Sequence, residues 1–385
     1  MPELTSLSFA HPAVLAEQRA PLALPGTVLS EAHRRLRADG ARAFLLSTCL
    51  RVEIAWAAGP KTRFDLLASL YGETAASHLG TVRTDESAFA HLCRVAAGLD
   101  SPLIGEPEVL GQFRQAISMF QESSNGSPSL GRVLEAAVGI ARTTRRMLGE
   151  SPRGSLASLA ARTAQPSGRV AILGAGAMAR AAAAALSDVE LTIFARRSGD
   201  VSGHQTLPWE EAAEAFTSFP AVISTVPGKV PLFSAEVVAR ALSRRREPLL
   251  LIDLGMPPGF ARPPGDAVHY LGVDEVASSA NSGPAAEAEE KVAREAATAW
   301  RRLVSPGRAG SVIAGMVDQA ERAVTEEVAR FASRLAGAGN PERVLRQLAH
   351  TVARRVLHAP ISFISSTERG DAVEVLAEAF GLEDE

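Results

Sequence analysis

The sequence predicts a multidomain α/β protein built from three successive parts. The first ~150 residues mix short strand-like patterns with helical ones, which is typical of an α+β domain. From about Ser155 strands alternate with helices, and this alternation favours a parallel sheet with crossover connections. After Ala285 the pattern is helical only. The chain has 385 residues, which also favours two or three domains at roughly 150 residues each.

The first part contains one compact apolar run and one alternating run. The residues 43–48 form the apolar run, while Val52, Ile54 and Trp56 alternate with Glu53 and Ala55 as in a half-buried strand. Helical patterns follow. The predicted helices are Arg63–Tyr71, Ser87–Gly98 and a largely helical stretch Glu108–Met147. The residues Ser151–Gly154 predict a break before the second part.

The second part has five strand-like runs, with a glycine-rich turn and the alanine-rich helix Met178–Leu186 after the first of them. The predicted strands are Arg169–Leu173, Val189–Phe194, Ala221–Ser224, Pro248–Leu254 and a short Tyr270–Val273.

The third part is predicted to be all helical. The stretch Ala285–Leu303 has no Gly or Pro and predicts one long helix. Helical segments continue over 311–357 with an interruption at Gly337–Pro341, and a last helix is predicted at Arg369–Phe380. This tail is too small for a convincing core of its own, so we expect it to pack against a second subunit.

Composition and charge exclude several classes of protein. The hydrophobic share of 46% and the charged share of 22% exclude a disordered chain. No apolar run approaches the ~18–20 residues of a membrane span, and residues 1–10 do not resemble a signal peptide. The net charge of −3 excludes a generic nucleic-acid binder but leaves a local basic face open. Two cysteines cannot build a disulfide framework, which predicts a reducing, cytoplasmic compartment.

The glycine-rich turn predicts a dinucleotide site. It reads G-x-G-x-x-A between a strand and a helix, with Gly174 for the tight turn, Gly176 for close approach of a pyrophosphate and Ala179 for helix–strand packing. The predicted cofactor-binding residues here are Gly174, Ala175, Gly176, Ala177, Met178 and Ala179.

Two arginines follow the next strand, where an NAD site usually carries an acidic residue. The guanidinium groups of Arg196 and Arg197 suit a 2′-phosphate by charge and geometry, so NADPH is favoured over NADH. The alternative is that both are solvated loop residues.

Cys49 is the candidate nucleophile. A lone cysteine is more often a small buried hydrophobe, and Cys93, on an apolar helical stripe, is expected to be one. Cys49 instead follows a strand, and Arg51 is expected to place a cation nearby that favours the thiolate. A thiolate beside a nicotinamide site indicates acyl reduction, in which a thioester forms and hydride then reduces it to an aldehyde.

Two motifs resemble signatures of the glutamyl-tRNA reductase family. Ser47–Glu53 resembles S-T-C-N-R-x-E, and Gly98–Gln112 resembles G-L-D-S-x-x-x-G-E-x-x-I-L-G-Q. Further similar pieces occur in the family's order, at Gly174–Ala179, Asp253–Pro257, Tyr270–Glu275 and Leu357–Pro360.

The resemblance implies NADPH-dependent reduction of glutamyl-tRNA(Glu) to glutamate-1-semialdehyde, the first step of the five-carbon route to tetrapyrroles. It also implies an N-terminal α+β catalytic domain over 1–150, a Rossmann-like NADPH domain over 151–283, and a long spinal helix with an α-helical dimerisation domain over 284–385. A homodimer through the C-terminal helices and a partnership with glutamate-1-semialdehyde aminomutase are implied in the same way.

The resemblance also assigns roles to single residues. Cys49 becomes the thioester-forming nucleophile and Arg83 takes the place of a family histidine with a supporting catalytic role. The residues that it places at the glutamate site are Thr48, Leu50, Arg51, Ser101, Glu106, Pro107, Glu108 and Gln112, with Arg51 gripping a substrate carboxylate. Structural alternatives are a turn cap for Ser101, a helix N-terminal acid for Glu106 and a solvated helix position for Gln112.

Three positions depart from the family pattern. Leu50 replaces the signature asparagine, Arg83 replaces the histidine, and the N-terminal motif Ser8–Glu17 is degenerate, with His11 displaced. These departures leave open an alternative function, a catalytically impaired paralogue that binds tRNA or NADPH as a regulator. A reductase for another acyl carrier is a third hypothesis.

Other binding sites are weakly indicated. Two arginine clusters are candidates for tRNA contact, although such runs are usually solvated helix faces. The first cluster comprises Arg132, Arg142, Arg145, Arg146 and Arg153. The second cluster comprises Arg343, Arg346, Arg354 and Arg355. The eight histidines show no metal-ligand spacing, so no metal site is expected.

Overall fold

The structure is a computed structural model of the chain. It describes residues 4–39, 41–57, 63–72, 80–124, 128–149, 154–197, 199–228, 232–233, 235–262, 266–280, 285–304, 308–336, 340–366 and 373–374. These residues form two compact units, Met1–Val304 and Ser305–Glu385.

The first unit opens with a four-stranded antiparallel sheet of order β2-β3-β1-β4. Its strands are β1 (Leu4–Ala10), β2 (Ala43–Ser47), β3 (Arg51–Ala57) and β4 (Thr81–Thr84). One face buries Leu7, Phe9 and Ile54 in an apolar cluster. The other face carries apolar residues at one end and a buried polar strip that includes Ser8 and Glu53. The predicted strands β2 and β3 are confirmed, whereas β1 and β4 were not predicted.

Six helices accompany this sheet in the described residues. They are α1 (Ala16–Arg19), α2 (Gly26–Ala38), α3 (Arg63–Tyr71), α4 (Asp85–Ala97), α5 (Pro107–Ser124) and α6 (Pro128–Leu148). The predicted helix α3 is confirmed to the residue. The stretch predicted as helical over 108–147 is two helices, and the predicted break at 151–154 falls mostly outside the described residues.

A seven-stranded sheet of order β11-β10-β9-β5-β6-β8-β7 follows. It is parallel except for the β7–β8 pair. Its strands are β5 (Arg169–Leu173), β6 (Glu190–Ala195), β7 (Asp200–Val201), β8 (His204–Pro208), β9 (Ala221–Ser224), β10 (Leu249–Asp253) and β11 (Val268–Gly272). All five predicted strands are present, with shifts of at most two residues at their ends.

Helices cover both faces of this sheet in two apolar clusters. They are α7 (Leu156–Ala164), α8 (Ala177–Ala185), α9 (Ala215–Ser218), α10 (Ala235–Leu242) and α11 (Val273–Ser278). β5 lies between β6 and β9, so the strand order reverses there, and ligands of such sheets bind beyond the carboxyl ends of the strands at this point.

The next helix, α12 (Ala286–Val304), packs on α4 and α6 of the N-terminal domain. Val292, Ala296 and Trp300 form its buried stripe, and the Trp300 ring stacks on Phe89 at 5.9 Å between centroids. The long helix predicted for 285–303 is therefore confirmed.

The second unit consists, in its described part, of α13 (Arg308–Ala336) and α14 (Pro341–Ser366), which pack together. Glu327 is buried between them and binds Arg330 and Arg355. Large apolar side chains such as Val328 and Ile361 remain exposed. The helix predicted at 369–380 lies almost wholly outside the described residues. No helix in the described part of the chain is both long and apolar enough to cross a bilayer.

Candidate active site

Cys49 lies at the tip of the loop that joins β2 to β3. The amide of Thr48 donates to the Arg51 carbonyl at 2.9 Å, and the amide of Leu50 donates to Thr48 Oγ1 at 3.3 Å. The two strands and these bonds hold a tight three-residue loop. The sequence prediction of a cysteine between two strands is confirmed.

The surroundings of the thiol keep it protonated. Burial, followed by the charge of Glu106, raises the pKa of Cys49 to about 12, and Glu108 adds to this rise. Arg19 is the cation that acts in the opposite direction. The prediction that Arg51 would favour a thiolate is therefore wrong for this structure. Cys49 as a whole residue is only half-buried, although its thiol group is surrounded by protein atoms.

Arg51 is buried and already bonded. Its side chain is 4% exposed, Nη1 donates to Glu53 Oε1 at 3.3 Å, and Nη2 donates to the Asp100 carbonyl. The guanidinium therefore fixes β3 to the turn after α4. This turn begins at Gly98, which caps the end of α4 with φ of +76°. Any grip on a substrate carboxylate would have to use the remaining guanidinium hydrogens.

A buried polar cluster surrounds Glu53. Its carboxylate accepts from Ser8 Oγ at 2.9 Å and lies 2.9 Å from His91 Nε2, while His91 Nδ1 lies 3.4 Å from Asp100 Oδ2. Burial would lower the pKa of His91, but Glu53 and Asp100 raise it above its usual value. Burial would raise the pKa of Asp100, but bonding to His91 and the charge of Arg94 lower it to about 2. Sequence reasoning identified neither His91 nor Asp100 as a site residue.

Leu50 does not line a polar pocket. Its side chain is 6% exposed and belongs to the apolar cluster formed by α7, α8 and α11 of the second sheet domain. The side chain seats the loop on the neighbouring domain, and a contact of Leu50 with substrate stays a prediction. Cys49 packs against the same cluster.

The segment after α4 and the first turn of α5 carry two carboxylates whose charges act on the thiol. Glu106 is buried, and its Oε1 accepts from the amide of Leu156 at the start of α7 at 3.1 Å. Burial raises the pKa of both Glu106 and Glu108. Glu106 thus lies at a helix N-terminus, as the structural alternative for this residue predicted. Its charge also raises the pKa of the Cys49 thiol.

The other predicted residues of this segment lie nearby in sequence without a direct tie to the thiol. Ser101 is buried in the turn, Gln112 is half-buried on α5, and Pro107 opens α5 with a side chain outside the described part.

Arg83 is not close to Cys49. On β4 it pairs with Ser6, which pairs with Ala55 on β3, and Ala55 lies about 13 Å along the strand from Arg51. The charge of Arg83 acts on His91 instead, and its buried Nη1 has no hydrogen-bond partner. Within the described residues the strand pairing places Arg83 nearer to His91 than to the thiol, and its supporting catalytic role stays a prediction.

The glycine-rich turn has the geometry of a dinucleotide cradle. Gly174 has φ of +115°, and a Cβ there would lie 2.5 Å from Thr225 Oγ1, so only glycine fits. Gly176 immediately precedes α8, a side chain there would meet open space, and the first amide to bond within the helix is that of Arg180. The preceding amides are free to meet a phosphate. Ala179 is fully buried against the sheet, whereas Ala175, Ala177 and Met178 lie at the turn surface or are partly buried.

Arg196 and Arg197 follow the end of β6 and are both exposed. This is the edge of the sheet on which the adenosine ribose of a dinucleotide lies in doubly wound folds. The position is the one predicted for contact with a 2′-phosphate.

Arg19 is the site residue that sequence reasoning missed most clearly. Its guanidinium donates to the Cys49 carbonyl at 3.2 Å and to Asp274 Oδ1 at 2.7 Å. The one available signal was Asp274, which lies within the Tyr270–Glu275 motif.

Family models match three stretches of the chain. Residues 7–147 match "Glutamyl-tRNAGlu reductase, N-terminal domain", 158–277 match "Shikimate / quinate 5-dehydrogenase", and 287–382 match "Glutamyl-tRNAGlu reductase, dimerisation domain". The glutamyl-tRNA reductase of Pseudomonas aeruginosa is 30% identical over 376 residues, which cover 89% of each chain. The chain belongs to the glutamyl-tRNA reductase family.

Other relatives carry the same name. The glutamyl-tRNA reductase of Pseudomonas putida is 30% identical over 78% of this chain and 77% of its own. The solved structure of glutamyl-tRNA reductase from Methanopyrus kandleri aligns over 97% of both chains, with 20% identity and a TM-score of 0.42.

Family membership confirms the predicted fold class. This glutamyl-tRNA reductase family member has an N-terminal α+β domain, a dinucleotide-binding domain of the shikimate dehydrogenase type and a C-terminal helical dimerisation domain. The dimerisation domain supports a homodimer. The paralogue alternative is not favoured, since the full-length relatives carry the reductase name.

Proposed function

We propose that this chain is an NADPH-dependent glutamyl-tRNA reductase that forms a glutamyl thioester on Cys49 and releases glutamate-1-semialdehyde, the entry to tetrapyrrole synthesis. The observation that carries the proposal is the position of Cys49. Its loop is seated on the dinucleotide-binding domain, and the residue is only half-buried there.

The carboxylates beside the thiol fit the ammonium group of a glutamyl ester. Glu106 and Glu108 both act on Cys49, and a cation placed between them would offset their charge. The same cation would lower the pKa of the thiol, so substrate binding itself would promote nucleophilic attack. Arg51, fixed by Glu53, and the turn containing Ser101 form the opposite side of the proposed glutamate pocket.

Thioester formation requires the thiol to lose its proton. Glu108 is the more exposed of the two carboxylates, and we assign it the role of accepting this proton as the sulfur–carbon bond forms. The ester carbon–oxygen bond then breaks and the proton ends on the released tRNA hydroxyl. Reduction breaks the carbon–sulfur bond and returns Cys49 as a thiolate, which takes up one proton from solvent.

The nucleotide turn fits a dinucleotide. The open space at Gly176, the free amides that follow it and the exposed pair Arg196 and Arg197 would hold the pyrophosphate and the 2′-phosphate. NADPH, when bound there, supplies the hydride for the thioester carbon.

A turnover assay with charged tRNA tests the proposal. Wild-type protein supplied with glutamyl-tRNA(Glu) and NADPH is expected to form semialdehyde. Cys49→Ser is expected to form none and to bind NADPH with unchanged affinity, while Cys93→Ser, which alters a buried thiol on α4, is the matched control. Retained turnover in Cys49→Ser would reject the nucleophile, and a glutamyl thioester that is reduced faster than the tRNA ester would favour another acyl carrier.

Partners follow from the same chemistry. The reactive aldehyde product favours direct transfer to glutamate-1-semialdehyde aminomutase, and the two unpaired cysteines suit the cytoplasm. Candidate tRNA contacts are the exposed Arg132, Arg142 and Arg146 on α6, since Arg145 is bonded to the Glu106 carbonyl. On α14, Arg355 is tied to Glu326 and Glu327, whereas Arg343 and Arg354 are exposed. Arg153 lies outside the described residues.

A further inference from the structure

Arg19 is a fully buried arginine that touches both domains of the first unit. Its side chain is 1% exposed, which is rare for arginine without partners. One nitrogen donates to the Val14 carbonyl in its own domain. The other donates to the Cys49 carbonyl at 3.2 Å and to Asp274 Oδ1 at 2.7 Å.

Asp274 is the residue of the dinucleotide-binding domain that accepts the hydrogen bond from Arg19. It lies in the first turn of α11, directly after the carboxyl end of β11, on the edge of the sheet where a cofactor binds. Besides Arg19 it faces His11, whose Nδ1 is 3.1 Å from Oδ1, and the amide of Ala16. Burial would raise the pKa of Asp274, but these bonds lower it to about 2, so it is a carboxylate at neutral pH.

All these donors come from one short segment of the N-terminal domain. Residues 11–19 thus converge on a single carboxylate of the other domain, and the same arginine holds the main chain at Cys49. An ion pair taken out of water gains little stability over apolar packing, whereas it fixes geometry.

We propose that Arg19 and Asp274 are positioning residues that lock the Cys49 loop onto the cofactor edge of the dinucleotide-binding domain, so that the thioester carbon meets the hydride donor. The inference deepens the proposed function and rests on it for the reduction step alone. The same pair also affects the pKa of the Cys49 thiol, because the Arg19 guanidinium is bonded to Asp274 and its charge acts on the sulfur as well.

The two residues therefore have opposite effects on the free thiol. Removing the charge of Arg19 removes a cation that stabilises the thiolate, so the pKa of Cys49 rises further. Removing the charge of Asp274 leaves the Arg19 cation without its carboxylate partner, so its stabilising effect on the thiolate increases and the pKa of Cys49 falls. A residue that only supports the fold would move the reactivity of Cys49 in one direction in both variants, by loosening the loop.

The first experiment measures the rate at which iodoacetamide alkylates Cys49 in the full-length protein, read by peptide mass spectrometry so that Cys93 is distinguished. We expect Arg19→Gln to react about tenfold more slowly at pH 8, one pKa unit being tenfold in thiolate, and Asp274→Asn to react faster than wild type. Arg245→Gln is the matched control, because Arg245 binds the carbonyls of Phe216 and Phe219 far from the thiol.

The second experiment measures aldehyde formation in a single turnover, from preformed thioester with NADPH. Arg19→Lys keeps the charge but loses the planar fork, so its alkylation rate should stay within about threefold of wild type while reduction slows at least tenfold. Asp274→Asn should show the same slow reduction, with the preformed thioester persisting longer than in wild type.

Alkylation shifts of the same sign in Arg19→Gln and Asp274→Asn would overturn the proposal, and so would wild-type reduction in Arg19→Lys. If Arg19→Gln does not fold, Arg19→Lys and Asp274→Asn carry the test unaided. Failure of the proposed function is distinguishable, because wild type would then form no aldehyde while the alkylation shifts would still appear.

Discussion

Neutralising the buried carboxylate of Glu53 should destabilise the N-terminal domain by several kcal/mol, because it leaves a buried cation without its partner. Its side chain is 0% exposed and bonds to Ser8, Arg51 and His91. In Glu53→Gln the shape is kept, so no cavity forms, but Arg51 loses its charged partner inside the protein. Breaking a buried pair in this way costs about 3–5 kcal/mol, which for a domain of this size lowers Tm by about 6–20 °C.

Thermal unfolding followed by circular dichroism at pH 7 measures this loss. The matched control is Glu190→Gln, since Glu190 pairs with Arg169 at the surface, where the side chains are 62% and 46% exposed. Such an exposed pair contributes about 0–1 kcal/mol. If the Tm of Glu53→Gln fell within about 2 °C of the Glu190→Gln value, the inference that Arg51 needs Glu53 as its buried charged partner would be refuted.

Three further predictions follow from the site. Asp100→Asn should be about 2 kcal/mol less stable than wild type at pH 7 by urea unfolding. Because the folded pKa of Asp100 is depressed to about 2, this difference should shrink as the pH falls below the unfolded value, and a pH-independent difference would contradict it. Alkylation of Cys49 in the free protein should keep rising up to pH 10, since its pKa is about 12, and a plateau below pH 8 would show a stabilised thiolate. Replacing Arg196 and Arg197 together by Ala should raise KM for NADPH about 10-fold or more and leave that for NADH unchanged. The surface control is Arg240→Ala, and equal effects on both cofactors would exclude 2′-phosphate contact.

The centre of the parallel sheet was predictable because β5, β9 and β10 are buried on both faces, whereas the exposed strand β8 was missed. β5 and β9 are continuous apolar runs, and their predicted bounds are those of the structure. β1 was missed because Ser6 and Ser8 interrupt its apolar pattern, although both are buried. The serine at position 8 is polar because it faces Glu53 across the sheet, and no local pattern reveals that pairing of residues 45 apart.

The site was predictable where its residues are adjacent in sequence. The thiol loop and the glycine-rich turn are each formed by a few consecutive residues, so the spacing of their residue types was sufficient. Contacts between domains were not predictable in this way. Arg19 and Asp274 are 255 positions apart in the sequence. Leu50 replaces a polar residue of the family motif, and only the structure shows that its side chain packs in the apolar cluster of the neighbouring domain.

The protonated state of Cys49 reconciles two opposing demands of the proposed reaction. A thiol of high pKa is a strong nucleophile once it has lost its proton, but it is a poor leaving group when hydride must expel it from the thioester. Glu106 and Glu108 favour the first property, and the buried cation of Arg19 favours the second, because it stabilises the departing thiolate. A bound glutamyl ammonium would remove the effect of the carboxylates only while substrate is present. In the proposed reaction the free thiol therefore has little thiolate character, and the thiolate fraction rises only when the substrate ammonium is bound.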